Sequence, residues 1–190
     1  MEKTALADLK NNQQQRAELH RAIWNIANDL RGAVDGWDFK QYVLGMLFYR
    51  YISENLTDFI NSREREAGDL NFDYAKLADS EAEIARNNLV KIKGFFILPS
   101  ELFHNVRQKA PHDLDLNMTL ARVFRDIEAS SQGAESEKHF KGLFDDLDLN
   151  SNKLGPTVME RNKRLSDLMI GVGDMLLGSY RNNHIVAFSD

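Results

Sequence analysis

Two short strings in the chain have residue types and spacings that invite a chemical reading. In DDLDLNSN, Asp146, Asp148 and Asn150 stand at positions 1, 3 and 5 of an EF-hand calcium loop. The pattern then breaks. Ser151 takes position 6, where the turn needs glycine, and Thr157 takes position 12, where a bidentate glutamate would close the cage. A solvated acidic loop is the expectation, with no metal. Gly171-Val172-Gly173 opens a phosphate-cradling string, but Leu176 fills the third glycine position. The pair also lies inside a predicted helix, whereas such a cradle needs a strand before it and a helix after it. His20, His104, His112, His139 and His184 are scattered without metal-ligand spacing. The acidic pairs Glu81/Glu83 and Asp145/Asp146 lack the apolar enclosure that raises a carboxylate pKa for acid–base work. Read from its residues, the chain carries no catalytic and no cofactor-binding constellation.

A basic cluster is left. Lys153, Arg161, Lys163 and Arg164, with Asn152 and Asn162 among them, face one acid, Glu160. After a loop and at the start of a helix, such residues can approach phosphates or a partner's carboxylates, the helix dipole adding to their charge. The competing reading has Arg161 packed inward against a carboxylate and the other cations solvated. Composition limits what the cluster can do: 24 basic residues against 29 acidic give a net charge of −5. No global electrostatic footprint for nucleic acid exists, so DNA contact must be local or arise inside an assembly.

The chain of 190 residues is long enough for one buried core, and it contains no cysteine. Disulfide frameworks and thiolate-ligated metals are therefore excluded, which agrees with a reducing, cytoplasmic setting. The start, MEKTALADLKNNQQQ, lacks the apolar segment of a signal peptide, and no window reaches the ~18 apolar residues of a membrane span.

Three prolines and eleven glycines favour long helices. The expected fold is mainly α, a helical bundle with at most one or two very short extended segments. Residues 1–15 read as a flexible polar lead-in and 16–180 as a single helical domain. Leu19, Ile23, Ile26, Ala27 and Leu30 share one helical face with Trp24, a structural residue, at its border. RGAVDG is a turn. From Phe39 to about Ile60, one stripe carries Phe39, Val43, Met46 and Leu47, and an opposite one Leu44, Phe48, Ile52, Leu56 and Phe59. This helix is expected to be packed on both sides, with Phe48 a structural residue. Arg50 lies on the first stripe as a structural arginine, where it needs a carboxylate or carbonyl partner or must snorkel. A solvated helix is expected around Ser80–Lys91 and an extended run over Phe95–Leu98, with Ser100 as an N-cap. Asn117 should cap a helix running to about Ala129. Gly155-Pro156 marks a further helix start. Its inner face is expected to hold Val158, Leu165, Leu168, Met169, Val172 and Leu176, with Arg161 among them, Arg164 at the rim and Lys163 on the far side.

Two blocks, Ile23–Leu56 and Phe140–Asp174, joined by GFFILPSELF, resemble the N-terminal helical domain of the methyltransferase (M) subunit of type I restriction–modification systems. Leu30, Arg31, Gly32, Tyr42, Leu44, Gly45, Phe48, Arg50 and Tyr51 carry the resemblance in the first block. It implies a parent that is a site-specific, adenine-N6 DNA methyltransferase using S-adenosylmethionine. The catalytic domain of such a parent has a glycine-containing cofactor loop and an N-P-P-[YF] string that holds the flipped base. Neither string occurs in this chain. Residues 181–190 would then be the start of a linker to a catalytic domain absent from this chain, and the fragment alone would be no enzyme. The resemblance further implies partners: a specificity (S) subunit, a second M subunit, a restriction (R) subunit, and duplex DNA in the assembled complex, with no membrane. Two readings stand: an assembly and DNA-clamping domain, or a helical protein-interaction module with no nucleic-acid role.

Overall fold

The computed structural model describes residues 36–175 and Arg21, with side chains of the continuous stretch described from Lys40 onward. The stripe from Leu19 to Leu30, Trp24, the lead-in, Leu176 and the 181–190 segment lie outside the described residues, as does the side chain of Phe39. The longest element, α1 (Gly36–Glu66), has 31 residues and so spans about 46 Å. It is followed by a 3₁₀ turn at Tyr74–Lys76, α2 (Asp79–Ile84), α3 (Arg86–Lys93) and a second 3₁₀ turn at Pro99–Glu101. Next come α4 (Phe103–Lys109), a third 3₁₀ turn at Ala110–His112, α5 (Leu116–Ser130), α6 (Glu137–Phe140) and α7 (Val158–Asp174). No strand occurs among the described residues, as the mainly α expectation requires.

Helix α1 is the spine against which α4 and α7 pack. Its first stripe behaves as expected: Val43, Met46 and Leu47 are buried. On the second stripe Ile52 and Leu56 are buried and Phe48 and Phe59 half-buried, whereas Leu44 faces outward. Among the buried residues of α1 that belong to neither stripe are Tyr49 and Ser53. Their polar atoms explain them. The Tyr49 hydroxyl donates to the Glu101 carbonyl, and Ser53 Oγ accepts the backbone N–H of Phe103 at 3.1 Å. Asn61 Oδ1 likewise accepts the N–H of Tyr74 at 2.8 Å. The spine thus satisfies backbone groups that the intervening turns leave without partners.

Phe95, Phe96 and Ile97 form the expected extended run and are buried without a sheet; Phe96 N–H donates to Ser130 Oγ instead. Ser100 is not a cap. Leu102 holds that position for α4, while Ser100 gives both its N–H and its hydroxyl to Asp79. Asn117 is likewise inside α5, with Asp115 at the N-cap position. The segment expected around Ser80–Lys91 is two short helices broken at Ala85. Leu120, Val123, Phe124 and Ile127 of α5 meet Leu165, Leu168, Met169 and Val172 of α7 in one core. Phe124 stacks on Phe144 with ring centroids 4.1 Å apart, and Tyr49 sets its ring edge-to-face on Phe103 and Phe124.

The acidic string proves to be a strap. Leu147 and Leu149 are buried while Asp146 and Asp148 point to solvent. Gly45 makes this possible, because a Cβ there would lie 2.3 Å from Leu147 Cδ1. Beside it the Tyr42 hydroxyl donates to the Asp148 carbonyl at 2.6 Å. Phe48 contacts the rings of Phe140 and Phe144 below the strap.

Arg50 finds both kinds of partner. Its Nε donates to Glu54 at 2.6 Å, and its Nη1 donates to the carbonyls of Val172 and Met175, each at 2.8 Å. The guanidinium therefore closes the C-terminal end of α7, where carbonyls lack intrahelical donors and the dipole favours a cation. Arg107 of α4 adds a second cation there, pairing with Asp174 and lying against Gly173. Replacing Arg50 with methionine keeps most of its apolar stem but removes the donor to the Met175 carbonyl and leaves that of Val172 with only the N–H of Met175 at 3.3 Å; we expect a loss of about 2 kcal/mol, read as a lowered denaturant midpoint at unchanged slope.

Candidate partner and nucleic-acid interface

The loop that launches α7 is set by its cap. Thr157 Oγ1 accepts the N–H of Glu160 at 3.2 Å, and the Glu160 carboxylate accepts the N–H of Thr157 at 3.1 Å, a complete capping box. Pro156 sits just outside the helix. Gly155 precedes it in a conformation with φ +154°, and a Cβ there would meet Glu160 Cβ at 2.6 Å. The Glu160 carboxyl is held below the usual carboxylate range, first by the hydroxyl of Thr157, then by its backbone N–H, with Arg164 and Arg161 adding to the effect.

From this frame the basic cluster disperses. Arg161 turns back on its own loop, its Nη1 donating to the carbonyls of Gly155 and Pro156 at 3.0 and 3.3 Å and lying 3.5 Å from Asn152 Oδ1. It packs inward as the competing reading supposed, but onto carbonyls and not onto a carboxylate. Arg164 is half-buried, with a buried Nη1 that has no hydrogen-bond partner among the described residues. Lys163 is exposed and paired with Asp167 at 2.6 Å. Lys153 is exposed on the loop.

Asn162 leaves the contact surface altogether. It is buried; its Oδ1 accepts the N–H of Asn117 at 2.9 Å and its Nδ2 donates to the Leu114 carbonyl. Asn117 continues the chain of amides through its Nδ2 to Asn150 Oδ1 at 2.6 Å. The first turns of α5 and α7 and the end of the acidic strap are thereby tied together. Beside that tie lie four exposed apolar residues that sequence reasoning did not group: Leu114 (81% exposed), Met118 (61%), Val158 (46%) and Met159 (78%). Val158 was expected on the inner face; it opens the helix and points outward instead. Large apolar side chains left exposed at the starts of two helices that are tied together suit a protein-contact surface.

No other chemistry collects at this end. Among the described residues no group of three or more acidic or histidine side chains is placed to hold a metal. The Gly171–Gly173 pair lies within α7, with Gly173 against Arg107, so the one glycine string offers no cradle for a nucleotide-like cofactor. Among the described residues no helix is long and apolar enough to cross a membrane.

The comparisons with known proteins agree with this picture. A family model described as the HsdM N-terminal domain matches residues 19–171. The type I restriction enzyme MpnII methylase subunit of Mycoplasma pneumoniae is 41% identical over 188 residues, which is 95% of this chain and 34% of that protein. The crystal structure of the type I restriction-modification system methyltransferase subunit from Streptococcus thermophilus superimposes with a TM-score of 0.70 at 26% identity, covering 90% of this chain and 36% of the other. The chain thus spans about a third of the length of each.

Neighbouring residues of the cluster should separate on mutation. Asn162→Ala strands the buried N–H of Asn117 and removes the donor to the Leu114 carbonyl, and is expected to cost about 2 kcal/mol in chemical denaturation, whereas Lys163→Ala stays within about 0.5 kcal/mol. The cap gives a pH signature. Because the folded-state pKa of Glu160 is depressed, the stability it adds is fully present above the unfolded carboxylate pKa and disappears as pH falls through the lowered value. Thr157→Ala should therefore lower the melting temperature at neutral pH and lose less on acidification than the unaltered chain.

Proposed function

The chain belongs to the HsdM N-terminal domain family, and on that footing we propose that it is the assembly and DNA-clamping domain of a type I adenine-N6 DNA methyltransferase subunit. The observation that carries the assembly role is the exposed apolar cluster Leu114, Met118, Val158 and Met159 beside the buried Asn117–Asn162 tie. A surface of large apolar residues on a rigid amide-pinned base suits a permanent subunit contact, since no ordering cost falls on the backbone when the partner arrives. The specificity subunit is the first occupant we assign to it; a second methylase subunit and the restriction subunit complete the assembly, which closes on duplex DNA in the cytoplasm. S-adenosylmethionine is the methyl donor such a parent protein would use.

One observation favours a second reading for the α7 end in particular. Arg161 is spent on its own loop and Lys163 on Asp167, so this end can serve as a protein-interaction surface with no direct nucleic-acid contact. Lys153 and Lys163 remain its candidates for a phosphate contact, with Arg161 and Arg164 set behind them.

The test uses the full methylase subunit. Deleting residues 36–175 should leave S-adenosylmethionine binding intact and abolish co-elution with the specificity subunit of the same system. Met159→Glu with Leu114→Glu, both exposed and hence neutral to the fold, should weaken that co-elution by at least tenfold in affinity. Retained co-elution of the deleted subunit would overturn the assembly role. Unchanged affinity in the double variant would move the contact elsewhere on the domain.

A further inference from the structure

The link that follows α1 folds back on that helix and, with α2 and α3, walls a pocket of about 250 Å³. Phe59, Phe72, Leu77, Leu89 and Ile92 give it an apolar lining. Tyr74 is pinned among them: it is buried, its N–H donates to Asn61 Oδ1 and its hydroxyl donates to the Ile97 carbonyl at 2.8 Å. Asp73 caps the 3₁₀ turn by accepting the N–H of Ala75 at 3.2 Å, so this wall is built in advance of any occupant. The surroundings are apolar as well. Ile92 is 46% exposed at the pocket, and Ile84 on α2 and Leu70 on the link stand out into solvent. None of these residues belongs to the cluster at the start of α7.

The elements around the pocket are acidic. From Glu64 to Glu83 the chain holds seven acidic residues against two basic ones. Glu64 and Glu81 line the pocket, and neither has an ion-pair partner among the described residues. Glu81 gives one oxygen to the N–H of Ala78 at 3.4 Å and keeps its charge at the surface. The nearby cations are occupied. Arg63 lies over the Phe59 ring at 4.7 Å, and Lys93 donates to Asn55 Oδ1 beside the same ring. Arg86 is paired with Glu83 and Lys76 with Asp73, while Lys91 lines a second cleft, toward α6.

Size and charge together select the occupant. Pockets for small organic ligands run to about 300–1,000 Å³; this one is smaller and suits a single large side chain. Side chains seated in such pockets, with a polar ring around them, anchor protein interfaces. The carboxylates repel phosphates and anionic lipid headgroups and complement lysine and arginine. We propose that the pocket seats a segment of a partner protein that inserts one large apolar or aromatic side chain and flanks it with basic residues. The inserted group packs on Phe72 and Leu89, and the flanking cations meet Glu64 and Glu81. This contact is additional to the one assigned to α7 and does not depend on it.

A labelled helical peptide tests it, with one phenylalanine, leucines three or four residues away and lysine elsewhere, titrated with this chain by fluorescence anisotropy. One control peptide has glutamate for lysine, and another has serine for phenylalanine and leucine. The first peptide should bind at least about tenfold tighter than either control. Ala85→Trp, at an exposed position of the lining, should weaken it by about tenfold, and so should Glu64→Lys with Glu81→Lys. Each variant is first checked for an unchanged denaturant midpoint. Leu114→Glu with Met159→Glu should leave the peptide's affinity unchanged. Equal binding of either control would overturn the proposal, as would unchanged affinity in both pocket variants. No binding by the unaltered chain at low salt would overturn it as well, leaving the α7 contact to be judged by co-elution. Loss of binding in the Leu114 and Met159 variant alone would move the peptide to α7 and also overturn it.

Discussion

The last turn of a helix has carbonyls with no donors of its own, and in this domain that deficit organises the packing. Arg50, planted mid-way along α1, supplies hydrogens to Val172 and Met175 and keeps a carboxylate, Glu54, on its other edge. One side chain therefore satisfies a helix end, offsets its dipole and sets the height of α7 against the spine. With α7 held at its C-terminal end by Arg50 and near its N-terminal end by Asn162, Leu165, Leu168, Met169 and Val172 have one way to meet α5. The same device recurs at lesser scale. Tyr49, Ser53 and Asn61 each offer a polar atom of α1 to a backbone group in a turn. In a chain with so many short helices, helix ends are numerous, and a spine bearing polar residues at buried positions is how they are served.

The existence of the helices was legible because apolar spacing reports burial directly. Val43, Met46, Leu47, Leu120, Val123, Phe124 and Ile127 fall inside as their spacing predicts. Arg50 was legible too, since a cation on an apolar stripe must have a partner. The caps were less so. Ser100 and Asn117 are residue types that favour helix starts, yet their side chains are used across the fold, on Asp79 and on Asn150. Type and position alone do not distinguish a local acceptor from a tertiary one. Tyr49 and Ser53 were invisible for a related reason, as a hydroxyl on an apolar face reads as a break until its distant carbonyl or N–H is known.

The interface shows the same division. Asn162 and Lys163 are adjacent in sequence, but successive residues on a helix are turned by about 100°, so one is buried and the other exposed. A window of sequence therefore assembles a basic cluster that the helix takes apart. A converse case is the cleft lined by Lys91 of α3 and Lys138 of α6, segments that the Gly94–Ser136 hydrogen bond helps to join. The four apolar residues near Asn162 escaped for the same reason, split between α5 and α7.

The reach of the Arg50 contact in the chain also bears on how the domain comes into being. The arginine and its carbonyl partners are 122 and 125 residues apart, and the strap over Gly45 closes a loop nearly as long. Contacts of such separation form late, after the entropy of closing large loops has been overcome. During synthesis α1 emerges early, with Arg50 lacking its carbonyls and Gly45 its leucine. The spine is thus the first long helix of the described region to be made and among the last to be completed. Until α7 has left the ribosome, the nascent domain shows its apolar stripe to solvent, a period in which chaperones and the quality of translation, more than final stability, govern yield.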